Sequence, residues 1–138
     1  MIDMSSIVNI DLGILILRIV VGIVMAAHGV PKLLWKREFY NKKWKKEYGF
    51  PLGSVVATGI VQIVGGLLII VGLFTFWSAL VITINLLVAT YISIWNHKEP
   101  FLSTPEGKGW DLNFLLHLAL IALMFFGDGK WSLAELLF

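Results

Sequence analysis

Four predominantly apolar runs dominate the chain, over residues 12–34, 52–74, 76–95 and 112–126. They are 23, 23, 20 and 15 residues long. A helix that crosses the hydrocarbon core needs about 20 residues, within a range of about 17–25. The fourth run is short. It reaches full length by recruiting Trp110 and Asp128 at its two ends, or through local thinning of the bilayer. Backbone groups in lipid need partners within their own segment, so these runs are helices. None of them shows the two-residue alternation of a strand.

Composition points the same way. Apolar residues make up 58% of the 138 residues and charged residues 14%, with a mean hydropathy of +0.85. One small soluble core cannot hide that much apolar surface, so the excess faces lipid. A soluble enzyme, a disordered chain and a free nucleic-acid binder are excluded. The chain has no cysteine. Disulfides, thiolate metal sites and paired-cysteine redox relays are excluded with it. No basic stretch precedes the first apolar run, and Asp3 and Asp11 stand there instead, so no cleaved signal peptide is expected.

Loop charge sets the expected orientation. Lys32, Lys36, Arg37, Lys42, Lys43, Lys45, Lys46, Lys98 and Lys108 fall on one side, nine basic residues in all. The other side holds only Lys130, because Arg18 lies within the first run. The positive-inside rule then places the first and third loops in the cytoplasm and both termini outside, in a plasma membrane. The first loop interleaves Trp35, Phe39, Tyr40, Trp44 and Tyr48 with cations. That is the pattern of a basic helix lying in the interface with its aromatics toward lipid. Trp35, Lys42, Lys43, Trp44, Lys45 and Lys46 are its expected contacts to anionic lipid or to a docking partner. Near the C-terminus, Ser132 and Glu135 form a capping box that opens a short amphipathic segment. The expected fold is therefore an all-α integral membrane protein. It is one four-transmembrane-helix antiparallel bundle over residues 1–138, with an interfacial basic segment between helices one and two.

Polar groups in lipid are costly, and each calls for a reason. His28 and Lys32 are four apart and share a helix face, with Pro31 loosening the helix beside them. His28 lies six residues before the inner end of its run, and His117 lies six residues after Asp111. At 1.5 Å per residue both sit about 9 Å below the same boundary. Gln62 lies mid-run, followed by Gly65 and Gly66, which allow a neighbouring helix close. Asn85, mid-run in the third, carries an ambiguity between helix contact and site, and Asn113 lies on the same helix face as His117. The expected site is a polar pocket in the cytoplasmic half, lined by His28, Lys32, Gln62 and His117, with Asp111 at its mouth. Arg18, in the outer half, should lie outside it and serve another contact. A haem held between the two histidines is disfavoured, since nothing else marks a haem cleft, and no metal set stands out. No covalent cofactor is expected.

Several of these residues together resemble the DoxX family. The resemblance covers residues 15–137. It rests on Leu17, Arg18, Gly22, His28, Gly29 and Lys32, then on Gly65, Gly66, Gly72, Leu73, Phe74 and Thr75. It continues through Gly109, Trp110, Asp111, Leu112 and Asn113, and through the stretch from Gly127 to Leu133, its most specific part. The family often has glutamate where this chain has Gln62, and an acid where it has Ala134. The family includes DoxX and the DoxD subunit of thiosulfate:quinone oxidoreductase. The resemblance thus implies a membrane subunit that binds quinone, or a small apolar ligand, and works with a redox partner protein. It points independently to His28, Lys32, Asp111 and the position of Gln62. The competing reading is a non-catalytic scaffold or assembly factor, which docks a protein partner or a second copy of the chain through the basic loop. A small transporter is disfavoured, as no broken-helix pair or inverted repeat is present.

Overall fold

The computed structural model describes residues 9–138; the expectation built on Asp3 lies outside the described residues. The described residues form six α-helices in order: α1 (Ile10–Leu33), α2 (Arg37–Tyr48), α3 (Ser54–Val71), α4 (Thr75–Tyr91), α5 (Asp111–Phe126) and α6 (Leu133–Leu137). The last turn of α4 runs on as a π-helical turn, Ile92–Asn96. Among the described residues there is no strand, only an isolated bridge between Thr104 and Gly107. Among the described residues three helices are long and apolar enough to cross a membrane: α1, α3, and α4 with its π-helical extension. The fourth apolar run forms α5, a shorter apolar helix of 16 residues.

Local chemistry sets the helix ends. Asn9 caps α1, its Oδ1 accepting from the Leu12 amide at 3.0 Å. Gly72, at φ +69°, closes α3 while the Leu73 amide reaches back to the Leu68 carbonyl at 3.0 Å. That six-to-one bond and the left-handed residue are a Schellman ending. Ser132 caps α6, its Oγ accepting from the Glu135 amide at 3.2 Å, so the capping residue and the short helix it opens are both present.

Glycines make the tightest packing contact. Those of α1 face those of α3, with Gly22 against Gly66 and Gly29 against Gly59. Residue numbers rise along one helix as they fall along the other, so this pair runs antiparallel. The third helix also packs on α4, α4 on α5, and α5 back on α1. Val21, Met25, Ile69, Ala79, Ile82, Leu86, Leu116, Leu120 and Leu123 fill the space between these four. The opposite faces stay apolar and exposed, as at Ile16, Val20 and Ile23 of α1 and Leu115 and Leu118 of α5. An apolar surface of that extent is the lipid-facing side of a membrane protein.

The ends of the molecule differ. One carries α2 and residues 97–110, whose side chains meet around a common cavity. Eight of the eleven basic residues are in these segments or the short connection at Lys36; Lys32 lies beside them. The other end carries the turn from α3 to α4 and residues 127–134, tied together by Arg18.

Candidate functional site

At the basic end a cavity of about 670 Å³ opens between α1, α3, α4 and α2. That volume lies within the usual range for small-molecule sites, about 300–1,000 Å³. A line of polar side chains crosses its inner wall. Lys32 Nζ donates to the Gln62 Oε1 at 2.8 Å and to the His28 carbonyl at 2.8 Å. Gln62 Nε2 donates to Asn85 Oδ1 at 3.3 Å, and Asn85 Nδ2 donates to Thr58 Oγ1 at 3.2 Å. The line joins α1, α3 and α4, and its direction is fixed at Lys32, which can only donate. Two of the three ammonium protons are spent on protein groups. Gln62 is neutral, and among the described residues no carboxylate lies within ion-pair distance of Lys32.

His28 also lines the cavity. Its Nδ1 lies 2.8 Å from the Val24 carbonyl, which can only accept, so Nδ1 carries the proton and Nε2 is the ring's acceptor. Both His28 and Lys32 sit in the last turns of α1 around Pro31, as their spacing requires.

The outer wall is aromatic. Tyr40, Trp44 and Tyr48 recur at four-residue spacing along α2 and turn into the cavity, with Phe50 beyond them. Trp44 and Phe50 centroids are 5.9 Å apart, as are those of Tyr48 and Phe50. This corrects the expectation that the aromatics of this segment face lipid. Only Trp35 and Phe39 turn outward, 68% and 61% exposed, while Lys42, Lys45 and Lys46 lie on the outer side. Trp44 is thus a cavity residue, and Lys43 pairs loosely with Glu47 at 4.0 Å. The cavity offers a ring-lined surface on the inner side of α2, and the rings follow it.

One other expectation is corrected. His117 does not line the cavity. It lies one turn beyond Asn113, which does, at a level where α5 has closed on α4. Thr90 Oγ1 donates to the Leu86 carbonyl at 2.9 Å, so His117 Nε2, 3.2 Å away, donates to Thr90. His28 and His117 therefore do not share a site. Asp111, expected at the mouth, is not itself in the wall: its Oδ1 accepts from Ser103 Oγ at 2.7 Å, and Ser103 lines the cavity. It braces the mouth from behind.

Sequence reasoning overlooks His97 and gives Tyr48 only to the lipid-facing set. The Tyr48 hydroxyl is hydrogen-bonded to His97 Nε2, with the two rings edge to face at 5.9 Å. Burial, reinforced by Glu47 and Glu99, pushes the Tyr48 phenol up to about 12, so at neutral pH it keeps its proton and donates. The four-residue spacing of Tyr40, Trp44 and Tyr48 was the available signal. Arg18 lies outside the cavity, as expected, at the opposite end.

Fold and site together define an all-helical membrane protein with a polar-walled cavity beneath an aromatic helix. The chain belongs to the DoxX family, whose model matches residues 13–95. That match stops short of the stretch from Gly127 to Leu133, on which the resemblance leaned most. Two relatives extend further. An uncharacterized membrane protein of Mycobacterium tuberculosis is 27% identical over 131 residues, spanning 88% of this chain and 78% of that one. An uncharacterized protein of Haemophilus influenzae is 29% identical over 117 residues, spanning 85% and 84%. No solved structure matches the chain.

Proposed function

We propose that this protein is the membrane subunit of a quinone-linked redox system, holding a quinone in the cavity and receiving electrons from a partner protein. The observation that carries this reading is Lys32. It is a half-buried cation with neutral neighbours and a spare proton at the wall of an apolar, ring-lined cavity. Such a group calls for an oxygen acceptor. A quinone carbonyl is such an acceptor, and a flat ring suits the faces of Trp44 and Tyr48. Asn113, whose side-chain amide can donate, supplies a further polar contact, and His28 Nε2, an acceptor, suits the hydroxyl of the reduced quinol. A bound quinone supplies two-electron chemistry; the residues here bind and orient its head.

Purified protein should yield quinone on lipid extraction, near one per chain. Lys32→Met should retain at least about ten-fold less, the loss of one hydrogen bond from a charged group. Wild-type protein that carries no quinone overturns the reading and leaves the scaffold role as the better one.

The cavity in this reading lies at the cytoplasmic side of a four-span bundle. Its α5 is about 24 Å long at 1.5 Å per residue, and crosses with help from Trp110 and the residues after Phe126. The basic residues gathered at one end support this orientation. In the cysteine-free chain, Lys43→Cys and Lys130→Cys should label from opposite sides of the membrane, Lys43→Cys from the cytoplasm. Labelling of both from one side overturns the topology.

A further inference from the structure

The aromatic wall belongs to a helix that is only lightly attached. No residue of α2 is buried, and its helix packing is chiefly a light contact with α3 and α1. Its ends are suited to movement. Towards α3, Gly49 at φ +68° and Gly53 at φ +101° bracket Pro51. Open space surrounds the Cβ position of both glycines, so conformation and not crowding accounts for them. Towards α1, Leu34, Trp35 and Lys36 form a short non-helical link. Across the cavity stands the π-helical turn of α4. There the His97 amide bonds to the Ile92 carbonyl at 3.0 Å, five residues back. The wider turn brings Ile92, Ser93 and His97 all to the cavity wall. One side-chain hydrogen bond among the described residues joins the two sides, that between Tyr48 and His97.

We propose that α2 is the door of the cavity, hinged at Gly49 and Gly53 and latched by Tyr48 to His97, and that ligand passes between α2 and the π-helical turn of α4. The door rests on reading the cavity as a ligand site. Its position gives it a function: the exposed Trp35, Phe39 and lysines keep the outer face of α2 at the water–lipid boundary. An apolar ligand with a polar head travels at that boundary. Opening there admits it head first toward Lys32, without crossing the helix-packed core. Closing brings the Trp44 and Tyr48 rings over it.

The test needs no ligand. Ser93→Cys, in the wild-type cysteine-free background, places one thiol on the cavity wall. Its reaction rate with a water-soluble maleimide reports how often the door is open. Removing the latch by Tyr48→Phe or by His97→Ala should raise that rate roughly five-fold, the population change set by one net hydrogen bond. Combining the two should add nothing further, because they break the same bond. A Lys130→Cys reporter at the other end should react at one rate in every background. Unchanged Ser93→Cys rates overturn the door, and so does a double variant whose effect is the product of the single ones. Faster labelling in protein that carries no quinone keeps the door and discards the quinone; quinone held with unaltered rates does the reverse.

Discussion

Replacing Arg18 with alanine is expected to cost the fold about 3–5 kcal/mol, more than any other single side-chain truncation in the chain. Arg18 is 1% exposed and donates to four carbonyls. Nε reaches Ile69 at 2.9 Å and Nη2 reaches Ile70 at 2.8 Å, while Nη1 reaches Asp128 and, at 3.0 Å, Trp131. Ile69 and Ile70 lie in the last turn of α3, where carbonyls lack the usual i+4 helical donors and the helix dipole is negative. Across the turn at Gly72, Asp128 Oδ1 accepts from the Thr75 amide at 2.9 Å, an anion at the positive start of α4. A cation thus caps the end of one helix and an anion caps the start of the next, and the Arg18 fork ties them together. Alanine would take the guanidinium donors from all four carbonyls, of which, among the described residues, that of Ile69 alone keeps a second donor, the Gly72 amide at 3.2 Å. Lysine would keep the charge but not the planar fork, so Arg18→Lys should fall between alanine and wild type. Unfolding by SDS titration measures this directly. A loss below about 1 kcal/mol for Arg18→Ala would show that the clamp contributes little.

The partners of Arg18 show why some of the molecule is legible in sequence and some is not. Apolar runs announce helices, because lipid permits nothing else, and the three longest are where the composition places them. The Ser132 cap is equally legible, since its partner lies three residues away. Arg18 announces itself as costly, yet its acceptors are backbone oxygens 51 to 113 residues distant, and backbone oxygens have no sequence signature. The site divides the same way. Lys32 and Gln62 were readable as a pair of unusual groups, and they do meet. His117 was placed by depth along its helix, and depth says nothing of rotation about the helix axis. The face of α2 was misjudged because lipid is a ready home for aromatics, though a ring-lined cavity serves them as well.

The seam between α1 and α3 carries the other large effect. Gly66→Val should destabilise the protein by about 1–3 kcal/mol, the usual cost of overpacking a close contact. A Cβ at Gly66 would stand 2.7 Å from the Gly22 carbonyl oxygen and 3.0 Å from the Ala26 amide nitrogen. Both are backbone atoms of a continuous helix and cannot turn aside as a side chain would. Relief therefore requires the helices to separate. In lipid that separation is not opposed by a hydrophobic effect, since tails solvate the exposed faces as well as Leu does; only close packing and interhelical hydrogen bonds resist it. The same separation would pull Lys32 away from Gln62, because that bond bridges the same two helices one to two turns along. Loss of stability and loss of the cavity wall should thus appear together in Gly66→Val. Gly13 supplies the control, as a Cβ there meets nothing within 4 Å. Gly13→Ala should leave SDS unfolding within about 0.5 kcal/mol of wild type, or improve it through helix propensity. Equal effects at the two glycines would mean that helix propensity, and not the seam, governs how these helices hold together.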